Sequence, residues 1–500
     1  MIYSVPHYIN GKKIQIDNEN YFNITNPALG KNVGKVNFAN QEICDLAINS
    51  AQQAWQTWSQ TTVNQRVQIL LRAHALITQH LDKLAQLITN EHGKTLADSK
   101  GSILRALEVI ESYCGLMHRL QGKFSANITA GVDAYTIYQS LGVCLGISPF
   151  NFPIMVPGWM IIPAIACGNT FILKPSEQDP SAIILFLDLL HEAGLPPGVI
   201  NCIHGDKKTV DYLLAHPDIK ACTAVASTPI AEYIYKTATN YGKRAHTFGA
   251  AKNHCLVMPD ANIAQAATAI VGAAYGSAGE RCMAIAMIVT IDDSTTKELL
   301  DHMIPLIQKI RMDPGDNPNS DIGPVVSRAH YQRIITAINQ SVIDGAKLLI
   351  DGRGFQHKNH PEGFFIAPTL VDHVTCNMSL YQDEIFGPVL GIIRTQSFMQ
   401  ALAIINQHRY GNGAVIFTQN GASAREFGHL VQTGMVGINI PIPVPIVAHP
   451  FGGWKASSFG DTNMHGEESI NFYTKRKTIT SLWRPTNYDD QRIFVMPTNE

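Results

Sequence analysis

The spacing of apolar positions divides the chain into regions of different periodicity. Residues 41 to 120 carry apolar side chains at three-and-four spacing, the mark of helices with one face against a core. The runs QEICDLAINSAQQAWQTWS and QRVQILLRAHALITQHLDKLAQLITNEHGK each predict a helix, the second closing near Gly93. After Gly122 the pattern turns to TAGVDAYTIYQSLGV, β-rich and polar, which predicts an extended segment leaving the body of its domain.

From Val143 short β-rich runs alternate with helices. GNTFILKP, VINCIHG and KACTAVAS read as strands; DPSAIILFLDLLHEAGLPPG, KKTVDYLLAHPDI and TPIAEYIYKTATNYG read as the helices between and after them. Alternation at this spacing predicts a parallel sheet with right-handed crossovers. A second alternating region runs from about Lys252 to Ile440, with apolar strands such as IAMIVTI and GAVIFTQ. Two α/β domains in series are therefore expected. The tail NFYTKRKTITSLWRP alternates as one more strand, able to pair with the segment near 123 to 141.

One stretch tests the globular reading. No charged residue occurs from Ala134 to Leu173, long enough to span a bilayer. Pro149, Pro153, Pro157 and Pro163 interrupt it, and a spanning helix must satisfy its backbone internally. A buried strand-loop-helix-strand is the better expectation, with no membrane partner. Composition agrees: of 500 residues 45% are hydrophobic and 16% charged. Lys and Arg total 38 against 40 Asp and Glu, with no cationic run, so nucleic acid is not an expected partner. The nine cysteines are scattered, and neither CxxC nor HExxH occurs, so no metal and no disulfide scaffold is expected. The amino-terminal run has neither a secretory nor a transit-peptide pattern, and reduced cysteines fit a cytoplasmic protein.

Four short segments carry candidate chemistry. In GSAGERCMA small residues surround Cys282 and leave room for a substrate, with Arg281 adjacent; a nearby positive charge would lower the thiol pKa. Taken alone, the cysteine reads as a buried structural one. In SPFNFP the amide of Asn151 sits in a proline-stiffened loop and can donate to an oxyanion, although loop asparagines are commonly turn formers. GNTFILKPSE puts Lys174 at the carboxyl end of a strand, where α/β sheets bind ligands. DEIFGPV sets Glu384 before a Gly-Pro turn.

Together, in this order and at these separations, the four segments resemble the aldehyde dehydrogenase superfamily from about Tyr8 to Trp483. The resemblance implies a Rossmann-type NAD-binding domain (1–122 and 142–250), an α/β catalytic domain (251–440) and a β oligomerisation flap (123–141 and 460–490). It implies Cys282 as nucleophile and Asn151, with the Cys282 backbone N–H, as oxyanion hole. Phe150, Lys174, Glu177, Ser227 and Glu384 would serve NAD, Lys174 and Glu177 near the adenosine ribose and Glu384 at the nicotinamide ribose. A homo-oligomer, dimer or tetramer, is expected.

Departures from the family pattern refine this. Hydrolytic members carry a glutamate where this chain has Phe248, 34 positions before Cys282, and phenylalanine cannot activate water. FGAAKNH, LKPSEQDP, GINIPIPVPI and GGWKASSFGD resemble the CoA-acylating methylmalonate-semialdehyde dehydrogenase branch. That branch implies coenzyme A as acyl acceptor and a semialdehyde carboxylate held by Arg105 and Arg281. Read without the family, Arg105 is a surface helix arginine paired with Glu108. Against the pattern, Ala226 and Ala231 stand where glycines usually line the phosphate turn, which predicts weaker or shifted NAD binding, with Ser227 retained. A hydrolytic dehydrogenase of another substrate, and a family member that has lost catalysis for a binding or structural role, remain alternatives.

Overall fold

The structure is a computed structural model and describes residues 2–129 and 131–483. Its frame is two large sheets. In the first, the strands Arg244–Phe248, Ile219–Val225, Val143–Ile147, Thr170–Lys174 and Ile200–Cys202 lie side by side in that order, all parallel. The order reverses between Val143–Ile147 and Ile219–Val225, the kind of switch point where open α/β sheets bind ligands beyond the strands' carboxyl ends. In the second sheet the strands Thr369–Asp372, Val389–Thr395, Ile285–Ile291, Asn253–Val257, Gly413–Phe417 and Met435–Ile438 are parallel, with Lys347–Ile350 antiparallel at one edge. An α/β, aldehyde dehydrogenase-like fold is what the periodicity and the resemblance predicted.

The charge-free stretch folds as expected. Val143–Ile147, the helix Met155–Ala166 and Thr170–Lys174 are buried throughout. Strands covered on both faces need apolar residues at every position rather than at alternate ones, hence the unbroken run. Among the described residues no helix is long and apolar enough to cross a membrane.

Three local expectations need correction. The helix expected from Gln65 to Lys94 is two, Val63–Gln79 and Leu81–His92. His80 separates them because its backbone N–H and its Nδ1 both engage carbonyls of the preceding turn, the ring at 3.0 Å from the Leu76 oxygen. Gly93 does close the second helix, with φ 96°. The tail begins as a helix, Gly466–Tyr473, and only Thr474–Leu482 is strand; the end of the expected flap, 484–490, lies outside the described residues. That strand pairs antiparallel with Val132–Ser140, Thr474 opposite Ser140 and Leu482 opposite Val132, while Phe124–Thr129 completes a three-stranded ribbon. The first sheet is also wider than its βα units: His7–Ile9 and Lys12–Ile14 extend one edge, and Ser458–Phe459 closes the other against Arg244–Phe248.

The core predicts its own sensitivity. Leu145, fully buried on a central strand, is expected to lose about 2–5 kcal/mol of stability as Leu145→Ala, whereas half-exposed Leu104→Ala should cost less than about 0.5 kcal/mol. Urea denaturation of the two variants beside the parent chain measures the difference.

Candidate active site

The two sheets present opposite ends to one seam. On the first sheet, Phe150 and Asn151 follow Val143–Ile147, Lys174 ends its strand with Glu177 three residues on, and Ala226 and Ser227 follow Ile219–Val225. On the second, Asn253 opens one strand, Cys282 precedes Ile285–Ile291, Glu384 precedes Val389–Thr395 and Asn412 precedes Gly413–Phe417. Between them lies a cleft of about 920 Å³ whose lining includes Phe150, Asn151, Lys174, Glu177, Ser227, Cys282 and Glu384. Residues spread over more than two hundred positions thus share one wall.

The two arginines are placed differently. Arg105, on the helix Leu96–Cys114, has Nη1 2.5 Å from Glu108 and donates through Nη2 to the Pro445 carbonyl at 3.1 Å. The plain helix-surface pairing is therefore present, together with a tie to the loop 441–450. Arg281 lies outside the large cleft, pairs with Asp98, and lines a small cavity that it shares with Cys282 and Glu384.

The nucleophile candidate is held by its backbone. The Cys282 carbonyl accepts from Asn253 Nδ2 at 2.9 Å and from Asn412 Nδ2 at 3.0 Å, and Asn253 also reaches the Ala284 carbonyl at 3.0 Å. Two buried amides, one opening a strand and one just before its neighbour, therefore fix the peptide that follows the thiol. The approach is tight: Ser277 and Ala278 adopt left-handed φ of 55° and 51°, and Gly279 follows at 75°. A Cβ on Gly279 would sit 2.2 Å from the Gly387 carbonyl oxygen, so only glycine lets this loop meet the one beyond Glu384.

Asn151 is buried, and its Nδ2 donates to the Glu280 carbonyl at 3.2 Å. Its own carbonyl accepts from Lys94 Nζ at 2.5 Å, and that ammonium lies 4.3 Å from the centre of the Phe152 ring. Lys94 is 1% exposed; burial brings its pKa down to about 8, against the pull of Asp98. Glu280, 0% exposed and two residues before Cys282, accepts from the Val326 N–H at 3.1 Å, and burial pushes its carboxyl up to about 8.

Glu384 accepts from the Ala251 N–H at 2.8 Å, and burial raises it to about 7 while Lys252 opposes the rise. Its loop is clamped from outside: Arg333 donates to the Glu384 and Ile385 carbonyls at 3.0 and 2.7 Å, and His330 Nε2–H to the Phe386 carbonyl at 2.7 Å.

The electrostatics of Cys282 reverse one expectation. Its thiol is pushed up to about 12, chiefly by burial and then by Glu384, while Arg281 is the smallest of the influences. The arginine lowers the thiol little because its charge is engaged by Asp98. The phosphate turn is also less obstructed than expected. Ala231 is fully buried on the inner face of the helix Thr228–Asn240, so its methyl meets the core; of the two alanines only Ala226 lines the cleft. Ser227 at that helix's start is exposed and caps no backbone N–H, leaving first-turn donors available to a phosphate. With Lys174 and Glu177 on the same wall, the cleft fits a dinucleotide. Phe248 is 5% exposed and packs 5.3 Å from His246, so no ionisable side chain occupies that position.

Fold and sequence agree on a class: residues 14–479 match the aldehyde dehydrogenase family, to which this chain belongs as an oxidoreductase of aldehydes. Among its relatives, a malonate-semialdehyde dehydrogenase of Pseudomonas aeruginosa is 45% identical over 99% of both chains. A human mitochondrial acylating methylmalonate-semialdehyde/malonate-semialdehyde dehydrogenase is 42% identical over 99% of this chain and 92% of its own. An NAD-complexed structure from Sinorhizobium meliloti superposes with a TM-score of 0.96 at 46% identity, covering 98% of this chain and 100% of that one. A methylmalonate-semialdehyde dehydrogenase structure from Oceanimonas doudoroffii gives 0.96 at 45%, covering 97% and 99%.

The raised thiol makes a direct prediction. With no cofactor added, alkylation of Cys282 by iodoacetamide should be slow at neutral pH and rise about tenfold per unit between about pH 7 and pH 9, because the reactive thiolate is the minor form throughout. Peptide mass mapping after timed quenching reads the rate; a plateau below about pH 8 would contradict the burial argument.

Proposed function

We propose that this chain oxidises malonate or methylmalonate semialdehyde with NAD and coenzyme A, releasing carbon dioxide and acetyl-CoA or propionyl-CoA. The carrying observation is that Cys282 and Asn151 line one cleft; the family resemblance adds that this chain has Phe248 where hydrolytic members carry a water-activating glutamate. The names of the relatives support the substrate class.

Cys282 Sγ adds to the aldehyde carbon, and Asn151 Nδ2 turns from the Glu280 carbonyl to the oxyanion that forms, helped by the Cys282 N–H. NAD, when bound, accepts the hydride. Lys174, Glu177 and Ser227 hold its adenosine and phosphate portions, with Phe150 and Glu384 towards the nicotinamide end. Cys282 is then the sulfur of a thioester whose acyl chain ends in a β-carboxylate. That carboxylate leaves as carbon dioxide, its bonding pair passing into the thioester carbonyl, where the same donors stabilise it, and the α-carbon takes up a proton. The thiol of coenzyme A attacks the remaining thioester and restores Cys282. A thiol needs less help from a base than water does, so Phe248 is tolerable in this reaction and not in hydrolysis.

Arg105 and Arg281 hold the substrate carboxylate on this reading, through charge-assisted hydrogen bonds. The three-stranded ribbon serves assembly into a dimer or tetramer: Phe124, Ile128, Leu482 and Trp483 are exposed along it, and a free β-edge of this kind favours pairing.

Product analysis by mass, with malonate semialdehyde and NAD in the presence and absence of coenzyme A, tests the proposal. NADH with acetyl-CoA is expected; full-rate release of free acid without coenzyme A would establish the hydrolytic reading instead. Arg105→Leu is expected to raise KM for the acid aldehyde about tenfold or more and to lower its kcat/KM relative to propanal.

A further inference from the structure

We propose that Asp98 is the positioning residue that gives this site its selectivity for an acidic aldehyde, by seating Arg281 as the inner half of the carboxylate clamp. The inference rests on the substrate reading above and extends it to a residue that touches no substrate atom.

Asp98 lies in the first turn of the helix Leu96–Cys114, and Arg105 lies seven residues further along the same helix. Seven residues are two turns, so both project from one face. Arg281 comes from the nucleophile's own loop and pairs with Asp98 through Nη2. The pair thus brings the guanidinium next to the nucleophile onto the helix face that already carries the other arginine.

The seat is built on the remaining side as well. A Cβ at Gly276 would lie 2.6 Å from Arg281 Nη1, 2.9 Å from Cζ and 3.0 Å from Nη2, so the guanidinium lies flat against a glycine. Asp98 is itself held ionised: Arg281 and Lys94 keep its carboxyl below the usual range despite burial. A carboxylate aspartate at neutral pH accepts from the arginine and cannot donate, which fixes the orientation of the pair.

A guanidinium has five N–H donors in a fixed fork, and among the described residues Asp98 takes one of them. The others remain for a ligand, and Arg281 lines the small cavity that includes Cys282. Asp98 therefore holds one edge of the fork, and the remaining donors are left without a protein acceptor among the described residues, on the loop that carries Cys282. An untethered arginine would lose rotamer freedom on every binding event, a cost that the pair removes beforehand.

The experiment measures kcat/KM for malonate semialdehyde relative to propanal in purified enzyme, for Asp98→Asn, Arg281→Leu, the double variant and Gly276→Ala. Asp98→Asn is expected to lower the ratio about tenfold, through KM of the acid rather than kcat. The double variant should match Arg281→Leu alone, because both remove one seat. Gly276→Ala displaces the guanidinium against a flexible side-chain end and should show the same loss, which keeps the test decisive if Asp98→Asn does not fold. A ratio lowered by Arg281→Leu but kept within about twofold by Asp98→Asn and Gly276→Ala overturns the role of Asp98 and leaves the substrate reading intact. A ratio unchanged by Arg281→Leu overturns both.

Discussion

The site depends on one close approach: the loop that carries Cys282 meets the loop after Glu384 at glycine-to-carbonyl distance. Gly279 permits it, and the left-handed Ser277, Ala278 and Phe386 turn the two chains into position. Such conformations cost energy and persist where surrounding contacts over-determine them. Here Asn253 and Asn412 grip the Cys282 carbonyl, while Arg333 and His330 grip the opposite loop. Cys282 is thereby built into the amino end of a parallel sheet, on the wall of the cleft.

Burial sets the chemistry of that seam and works in two directions. It strengthens each hydrogen bond aimed at a developing charge, and it shifts the groups themselves towards their neutral forms. Cys282 is raised towards 12, Glu280 towards 8 and Glu384 towards 7, while Lys94 and Lys252 are drawn down to about 8. On the function proposed, the resting thiol stays protonated and slow to react, and bound NAD would supply the positive charge that the paired Arg281 does not.

Much of this was legible in the sequence where residue type and local pattern carried the signal. The short β-rich runs around Val143–Ile147 and Thr170–Lys174, alternating with helices, identified buried parallel strands, and the order of four short motifs identified the family and the residues that now share a cleft. What stayed hidden depended on partners distant in the chain. Lys94 reads as a surface lysine after a helix, and only the fold places it under Asn151. Asn412 has no local signature, and its role comes from the strand beside it. Arg281 suggested a depressed thiol because its neighbour in sequence is Cys282, whereas its partner in space is Asp98. The break at His80 escaped periodicity because apolar spacing continues through a tight turn.

The central claim is that Cys282 forms the covalent bond to substrate and that the bound acyl group loses its carboxylate before release. Intact-protein and peptide mass spectrometry after mixing enzyme with malonate semialdehyde and NAD, with coenzyme A left out, tests it most directly. An acetyl-sized increment on the peptide containing Cys282, discharged when coenzyme A is added, is the predicted result. An unmodified Cys282 peptide accompanied by NADH formation, or an adduct on another cysteine, would contradict the account.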